Sequence, residues 1–239
     1  VIGSGAMGSG IAQVAAVVGH NTIILDTNPA ALDKSKTSLT ATLQKLEEKG
    51  KIANAQEVLG RLTFTTAMTD FANCGLIIEA IVENIDVKKS VFASLEKVVN
   101  QDCILASNTS SLSIASIASA CTHAERVIGI HFFNPAPIMA LVEVIPAVQT
   151  DVDLPQKIRD LMLQWGKAPV IAKDTPGFIV NRVARPYYSE ALRIYEEGIA
   201  DMATIDWALT QLAGFKMGPF TLMLCIGLGV NYVVCETVF

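Results

Sequence analysis

Charge is scarce in this chain. Of its 239 residues only 17% are Asp, Glu, Lys or Arg, against about 25% in ordinary soluble domains. The 18 basic residues are outnumbered by 23 acidic ones, the net charge is −5, and no run of like charge exceeds two or three residues. The clustered Lys and Arg of a nucleic-acid footprint are therefore lacking. The five cysteines (Cys74, Cys103, Cys121, Cys225, Cys235) are odd in number, widely spaced and free of any C-x-x-C. That excludes a disulfide framework or a zinc site and points to reduced thiols in a cytoplasmic setting. Low charge with 51% apolar residues and a mean hydropathy of +0.43 raises the question of a membrane span. Two stretches carry no charge, Val1 to Leu25 and Met217 to Cys235, and a spanning helix needs about 20 apolar residues. The first is broken by Gly3, Gly5, Gly8, Gly10, His20 and Asn21, the second by Pro219, Gly227, Gly229 and Asn231. No membrane span is predicted. Disorder is excluded by the ample apolar surface, and no signal or transit peptide is visible. Val1-Ile2 reads as part of a strand, so residues are expected to precede it.

What is present is an alternation. Short Val- and Ile-rich runs (Thr22 to Leu25, Leu62 to Thr65, Leu76 to Ala80, Ile104 to Ser107, Val127 to Phe132, Leu141 to Ile145, Val170 to Ala172) are separated by helical patterns at Gly10 to Val18, Ala30 to Lys49, Val87 to Val99, Ser113 to Ala120 and Pro155 to Trp165. Such alternation predicts an α/β fold: a Rossmann-type, mostly parallel sheet with helices on both faces. After Asp174 the strand signal stops. Helices are predicted over Phe178 to Glu197, with Pro186 inside, Thr204 to Leu212, and Pro219 to roughly Val233. The organisation expected is a nucleotide-binding domain over 1–173 and a smaller all-α domain over 174–239.

Gly3-Ser4-Gly5-Ala6-Met7-Gly8 fits G-x-G-x-x-G and stands before a helix. The first glycine permits the tight turn, the second lets a pyrophosphate approach the backbone, and the third allows close packing of helix and strand, with the phosphates at the helix N-terminus. Ala6 and Met7, between the glycines, are cofactor-binding candidates with them. Asp26 ends the next strand, where a carboxylate can accept from the adenosine ribose hydroxyls. It would repel a 2′-phosphate, so NAD is expected and not NADP. Of the three histidines, His20 and His123 lie in turns, whereas His131 ends the run Val127-Ile-Gly-Ile-His. Ligands of open α/β sheets bind beyond such strand ends. Glu143 lies in the apolar run Leu141-Val-Glu-Val-Ile and needs a partner if buried. A His131–Glu143 pair would satisfy both.

Five motifs in this order carry a resemblance: Gly3 to Gly8, Ser107-Asn-Thr-Ser-Ser-Leu, His131-Phe-Phe-Asn-Pro-Ala-Pro, Leu141-Val-Glu-Val-Ile and Asp174-Thr-Pro-Gly-Phe-Ile-Val-Asn-Arg. Together they resemble the L-3-hydroxyacyl-CoA dehydrogenases, including the bacterial 3-hydroxybutyryl-CoA dehydrogenases, over essentially the whole chain. Arg185-Pro-Tyr-Tyr-Ser-Glu-Ala is similar to the branch containing the 3-hydroxyadipyl-CoA dehydrogenases of phenylacetate degradation. The resemblance implies NAD-dependent, reversible oxidation of a short (S)-3-hydroxyacyl-CoA to the 3-oxoacyl-CoA. It makes His131 the general base and Glu143 its orienting partner. Ser110 and Asn134 would hold substrate oxygens near the cofactor, and Asn181 would contribute from the helical domain. Glu83 and Lys88 match positions beside the cofactor, and Thr42 and Lys49 match positions that receive coenzyme A. A homodimer through the helical domain is implied, with acyl-CoA as partner and no metal.

The chain also departs from the family pattern. Ala140 replaces a usual lysine, and Thr221, Leu224, Cys225 and Gly229 replace three acids and a leucine in the tail. The helical domain is expected to be incomplete at Phe239, leaving Met217 to Cys235 a buried or subunit-facing helix. Two alternatives stay open: a related sugar-acid dehydrogenase, and a non-catalytic NAD-binding protein. Among acyl-CoA substrates, hydroxybutyryl and hydroxyadipyl are not distinguished.

Overall fold

The computed structural model describes residues 1–229, 231, 232 and 235. The chain divides into two compact units, Val1–Asp174 and Thr175–Phe239.

The first unit is built on strands β1 (Thr22–Leu25), β2 (Leu62–Thr65), β3 (Leu76–Glu79), β4 (Ile104–Ser107), β5 (Val127–Phe132), β6 (Leu141–Pro146) and β7 (Ala168–Ile171). β1 pairs with β2, and β3 to β7 follow one another in order. Ile2 joins the two sets, bridging Leu25 on one side and Glu79 on the other. Every pairing is parallel except β5 with β6. The opening residues thus lie at the centre of the sheet, where the direction of chain progression reverses and ligand crevices form.

The helices are α1 (Ala6–Val17), α2 (Pro29–Glu48), α3 (Ala55–Gly60), α4 (Ile85–Leu95), α5 (Ile114–Ala118) and α6 (Leu154–Gln164). Their starts follow local chemistry. Asn28 caps α2 by accepting from the Ala30 amide, with Pro29 pre-set for the first turn. Asn84 caps α4 from Asp86 and Val87. The sequence pattern starts the first helix at Gly10, but it begins at Ala6, because Gly5 is its cap and the glycine motif supplies its first turn. Small residues let α1 be enclosed on two sides. Ile11, Val14 and Ala15 pack with Ile128, Ile130, Ile158 and Trp165, while Ala12 and Ala16 pack with Leu39, Leu43 and Val58. Burying each of the Ile, Leu and Val side chains among these contributes about 1.5–3 kcal/mol. Asp174 belongs to this first unit. Its carboxylate accepts from the Ile114 and Ala115 amides and the Ser113 hydroxyl at the start of α5.

The second unit contains α7 (Val180–Glu196), α8 (Met202–Gln211) and α9 (Pro219–Ile226), packed around Tyr188, Ala191, Ile205, Phe220 and Met223. Arg185 is buried, its guanidinium 3.1 Å from Asn231 Oδ1 and 4.8 Å over the Tyr188 ring, so the Arg185-Pro-Tyr-Tyr segment ties this unit internally. The long helix expected from Pro219 is interrupted. α9 ends at Gly227, whose φ of +95° suits glycine, and helical conformation resumes at Leu228; Val233 lies outside the described residues. Thr221 has a defined partner. Asp206 accepts from the amides of Phe220 and Thr221 and from the Thr221 hydroxyl at 2.6 Å. Among the described residues, no helix is long and apolar enough to cross a membrane.

Candidate active site

The turn between Ile2 and α1 is shaped by close backbone approach. Gly3 has φ +96°, and a Cβ there would stand 2.5 Å from the Ala80 carbonyl oxygen. A Cβ on Gly8 would stand 1.9 Å from the Gly3 oxygen. Gly5 differs, because a Cβ there would meet nothing within 4 Å, and Gly5 lines a cavity of about 1160 Å³ with Ser4, Ala6 and Asp26. The first-turn amides of a helix, here Ala6, Met7 and Gly8, have no intrahelical partners. Bare backbone at Gly5 and a helix N-terminus facing one cavity fit a pyrophosphate. Asp26 follows β1. It accepts from the Ser4 amide at 2.9 Å, the Ser4 hydroxyl at 2.7 Å and the Asn28 amide at 3.0 Å. Burial alone would raise its carboxyl, but the hydrogen bonds from Asn28 and Ser4 outweigh this and hold it below the usual range. An ionised carboxylate beside this turn fits the ribose of NAD.

Beyond β3 and β4 the polar residues converge. Lys88, on α4, is buried and sits 2.6 Å from Glu79 and 3.3 Å from Glu83. Glu83 accepts from the Thr109 hydroxyl and, at 3.0 Å, from the Ser110 amide. Burial pushes the Glu83 carboxyl up, yet the Lys88 ammonium and these hydrogen bonds leave it lowered overall. Glu83 and Lys88, both expected from the family resemblance to lie beside the cofactor, are thereby brought together with the loop that carries Ser110. Glu79 was not singled out in the sequence, although a carboxylate ending the apolar run Leu-Ile-Ile-Glu is the same signal that drew attention to Glu143.

His131 and Glu143 face each other directly across the antiparallel β5–β6 pair. His131 Nδ1 lies 2.7 Å from Glu143 Oε2, with the carboxylate fully buried and the ring 5% exposed. The Phe133 ring lies against the imidazole, centroids 4.5 Å apart. Asn108 Oδ1 accepts from the Phe132 amide at 2.8 Å, joining the β4 loop to the end of β5. Asn134 follows two residues later and lines the cavity.

The same cavity runs along α2 past Ser38 and Thr42 and is lined by three cations, Lys34, Lys51 and Lys167. Lys49, matched to the family from sequence, is exposed at the C-terminal cap of α2 and is not among the lining residues. Lys34 and Lys51 carried no motif to single them out from other solvated lysines. Lys167 is buried and donates to the carbonyls of Ala136 and Met139 at 2.6 and 3.0 Å, bracing the turn after Asn134. Asn181 lies on α7 of the second unit.

The family profile for the 3-hydroxyacyl-CoA dehydrogenase NAD binding domain matches residues 1–175, and that for the 3-hydroxyacyl-CoA dehydrogenase C-terminal domain matches 177–239. The chain belongs to the 3-hydroxyacyl-CoA dehydrogenase family. Within that family it is 46% identical to the 3-hydroxyadipyl-CoA dehydrogenase of Escherichia coli, aligning over 100% of this chain and 51% of that one. It is 43% identical to a probable 3-hydroxybutyryl-CoA dehydrogenase of Deinococcus radiodurans, over 99% and 85%. The crystal structure of (S)-3-hydroxybutyryl-CoA dehydrogenase from Ralstonia eutropha superposes with a TM-score of 0.95 at 38% identity, covering 99% of this chain and 84% of that one. The chain therefore spans about half the length of its Escherichia coli relative and most of the other two. The Rossmann-type fold followed by a helical domain, and NAD as the cofactor, are those of the family.

Proposed function

We propose that this 3-hydroxyacyl-CoA dehydrogenase family member oxidises short (S)-3-hydroxyacyl-CoA thioesters reversibly to 3-oxoacyl-CoA. The observation that carries the reading is the buried His131–Glu143 pair beyond the carboxyl end of β5, in the same unit as the glycine turn and Asp26. When bound, NAD supplies the hydride acceptor. With the ring proton on Nδ1, directed at Glu143, the basic lone pair of His131 is on Nε2, where it can take the proton of the substrate 3-hydroxyl. The imidazolium that forms is stabilised by the Glu143 carboxylate, the logic of a base held by an orienting acid. Ser110 and Asn134 hold the substrate oxygens where charge develops. Thr42, with Lys34 and Lys51 on the cavity wall and Lys49 as a further cation at the end of α2, receives the phosphorylated coenzyme A moiety.

The direct test is NADH oxidation with acetoacetyl-CoA, followed at the NADH absorbance. Turnover is expected, and NADH binding without turnover would favour a non-catalytic protein. Comparing acetoacetyl-CoA with 3-oxoadipyl-CoA in the same assay ranks the two substrate classes. A homodimer through the helical unit is supported by exposed apolar side chains there, including Val183, Trp207, Leu212 and Leu224. Light scattering on the full chain should give about twice the chain mass; a single chain mass would refute it. Five free thiols agree with a cytoplasmic setting.

A further inference from the structure

We propose that Glu79 is the positioning residue that couples the cofactor turn to the loop carrying Ser110. Its carboxylate is fully buried at the end of β3 and accepts three hydrogen bonds. Lys88 Nζ donates to Oε1 at 2.6 Å, the Ile81 amide to Oε1 at 2.8 Å, and the Ser107 hydroxyl to Oε2 at 2.7 Å. Each donor leads to a different part of the site. Residues 80 and 81 form the wall against which the glycine turn closes, since a Cβ on Gly3 would meet the Ala80 oxygen at 2.5 Å and Ile81 Cγ2 at 3.3 Å. Ser107 ends β4, and its hydroxyl also accepts from the Thr109 amide at 3.2 Å. Lys88 stands between Glu79 and Glu83, and Glu83 in turn holds the Thr109 hydroxyl and the Ser110 amide.

The charge count explains why an acid is needed here. One ammonium is shared by two carboxylates, and both Lys88 and Glu79 are essentially removed from water. A buried ion pair of this kind adds little net stability over an apolar pair of the same shape. What it does supply is direction. With Glu79 ionised, the ammonium is held toward the sheet, and Glu83 remains available to Thr109 and Ser110. Neutralising Glu79 leaves Glu83, among the described residues, as the one carboxylate paired with Lys88, and the attraction between them draws Glu83 off the Ser110 loop. The inference rests on the reading of Glu83, Lys88 and Ser110 as cofactor and substrate contacts.

Glu79→Gln tests it, because glutamine preserves the shape and can still accept from Ile81 and Lys88 while donating to Ser107. In the full chain this variant should still fold but melt several degrees below wild type, since the buried Lys88 keeps Glu83 and loses the Glu79 charge. Its NADH Kd, titrated by fluorescence, should rise about tenfold, and kcat with acetoacetyl-CoA should fall about tenfold with KM for acetoacetyl-CoA little changed. A purely structural role would lower the melting temperature and leave Kd and kcat alone. A folded Glu79→Gln variant with NADH Kd and kcat within twofold of wild type overturns the proposal. Should Glu79→Gln not fold, Glu79→Asp decides. It keeps the charge but withdraws it by one methylene, so severalfold weaker NADH binding supports the coupling and wild-type binding refutes it. The NADH titration does not depend on turnover. A wild-type chain that binds NADH but does not reduce acetoacetyl-CoA would refute the proposed activity while the Glu79 comparison still stands or falls alone.

Discussion

Turnover of acetoacetyl-CoA by His131→Gln should fall by about 10²–10⁴, the usual contribution of a positioned general acid–base. Glutamine fills similar space and can donate to Glu143, so the buried carboxylate keeps a partner and the fold is retained. What it lacks is a lone pair basic enough to take a proton near neutral pH. NADH binding should stay within about twofold of wild type, since the cofactor turn and Asp26 are untouched. Stopped-flow or steady-state assays alongside NADH fluorescence titration separate the two effects. Near-wild-type kcat would remove His131 from the chemistry. Glu143→Gln should also lower kcat, by up to about 10⁴ in the same assay, because a glutamine amide can donate to Nδ1 and leave the ring proton on Nε2, the wrong tautomer for a base, and because the stabilisation of the charged imidazole is lost.

Gly8→Ala should abolish cofactor binding, for a steric reason. Its Cβ would lie 1.9 Å from the Gly3 carbonyl oxygen and 2.9 Å from the Gly3 carbonyl carbon, both backbone atoms that cannot move without opening the turn. Overpacking costs about 1–3 kcal/mol, or roughly 2–10 °C in Tm for a chain of this size. The displaced helix start should weaken NADH at least about a hundredfold. Gly5→Ala is the informative contrast. With nothing within 4 Å of its Cβ, it should leave Tm unchanged and still weaken NADH, because the methyl occupies space reserved for the ligand. Calorimetry and NADH titration of both variants check this; wild-type affinity in Gly5→Ala would show that the pyrophosphate does not lie there.

Much of this was legible in the chain before any coordinates. The buried strands are continuous apolar runs, so their positions followed from composition. The glycine spacing and Asp26 pointed to the turn proposed to hold the cofactor. The His131–Glu143 pair could be suspected because each residue was anomalous in an apolar run. Eight residues separate β5 from β6, too few for a parallel crossover, but the antiparallel pairing that sets the two side chains opposite was not among the expectations from sequence and came from the structure. Boundaries were less legible. The start of α1 was read four residues late, because glycines carry no hydrophobic pattern. Gly227 counted against a membrane span, yet the apolar residues on either side still carried the expected helix through it, whereas α9 ends there.

By itself, the sequence determined the class of fold and pointed to the glycine turn and the His131–Glu143 pair as candidates for cofactor and acid–base work, since each depends on residue type and local spacing. Only the tertiary structure decided which of several lysines face the cavity, that Thr221 serves Asp206, and that Glu79 joins Lys88, Ile81 and Ser107. Those are contacts between segments distant in sequence. A side chain's charge and reach are local properties, but its neighbours are set by how strands pair and helices pack, and so is what its charge can do.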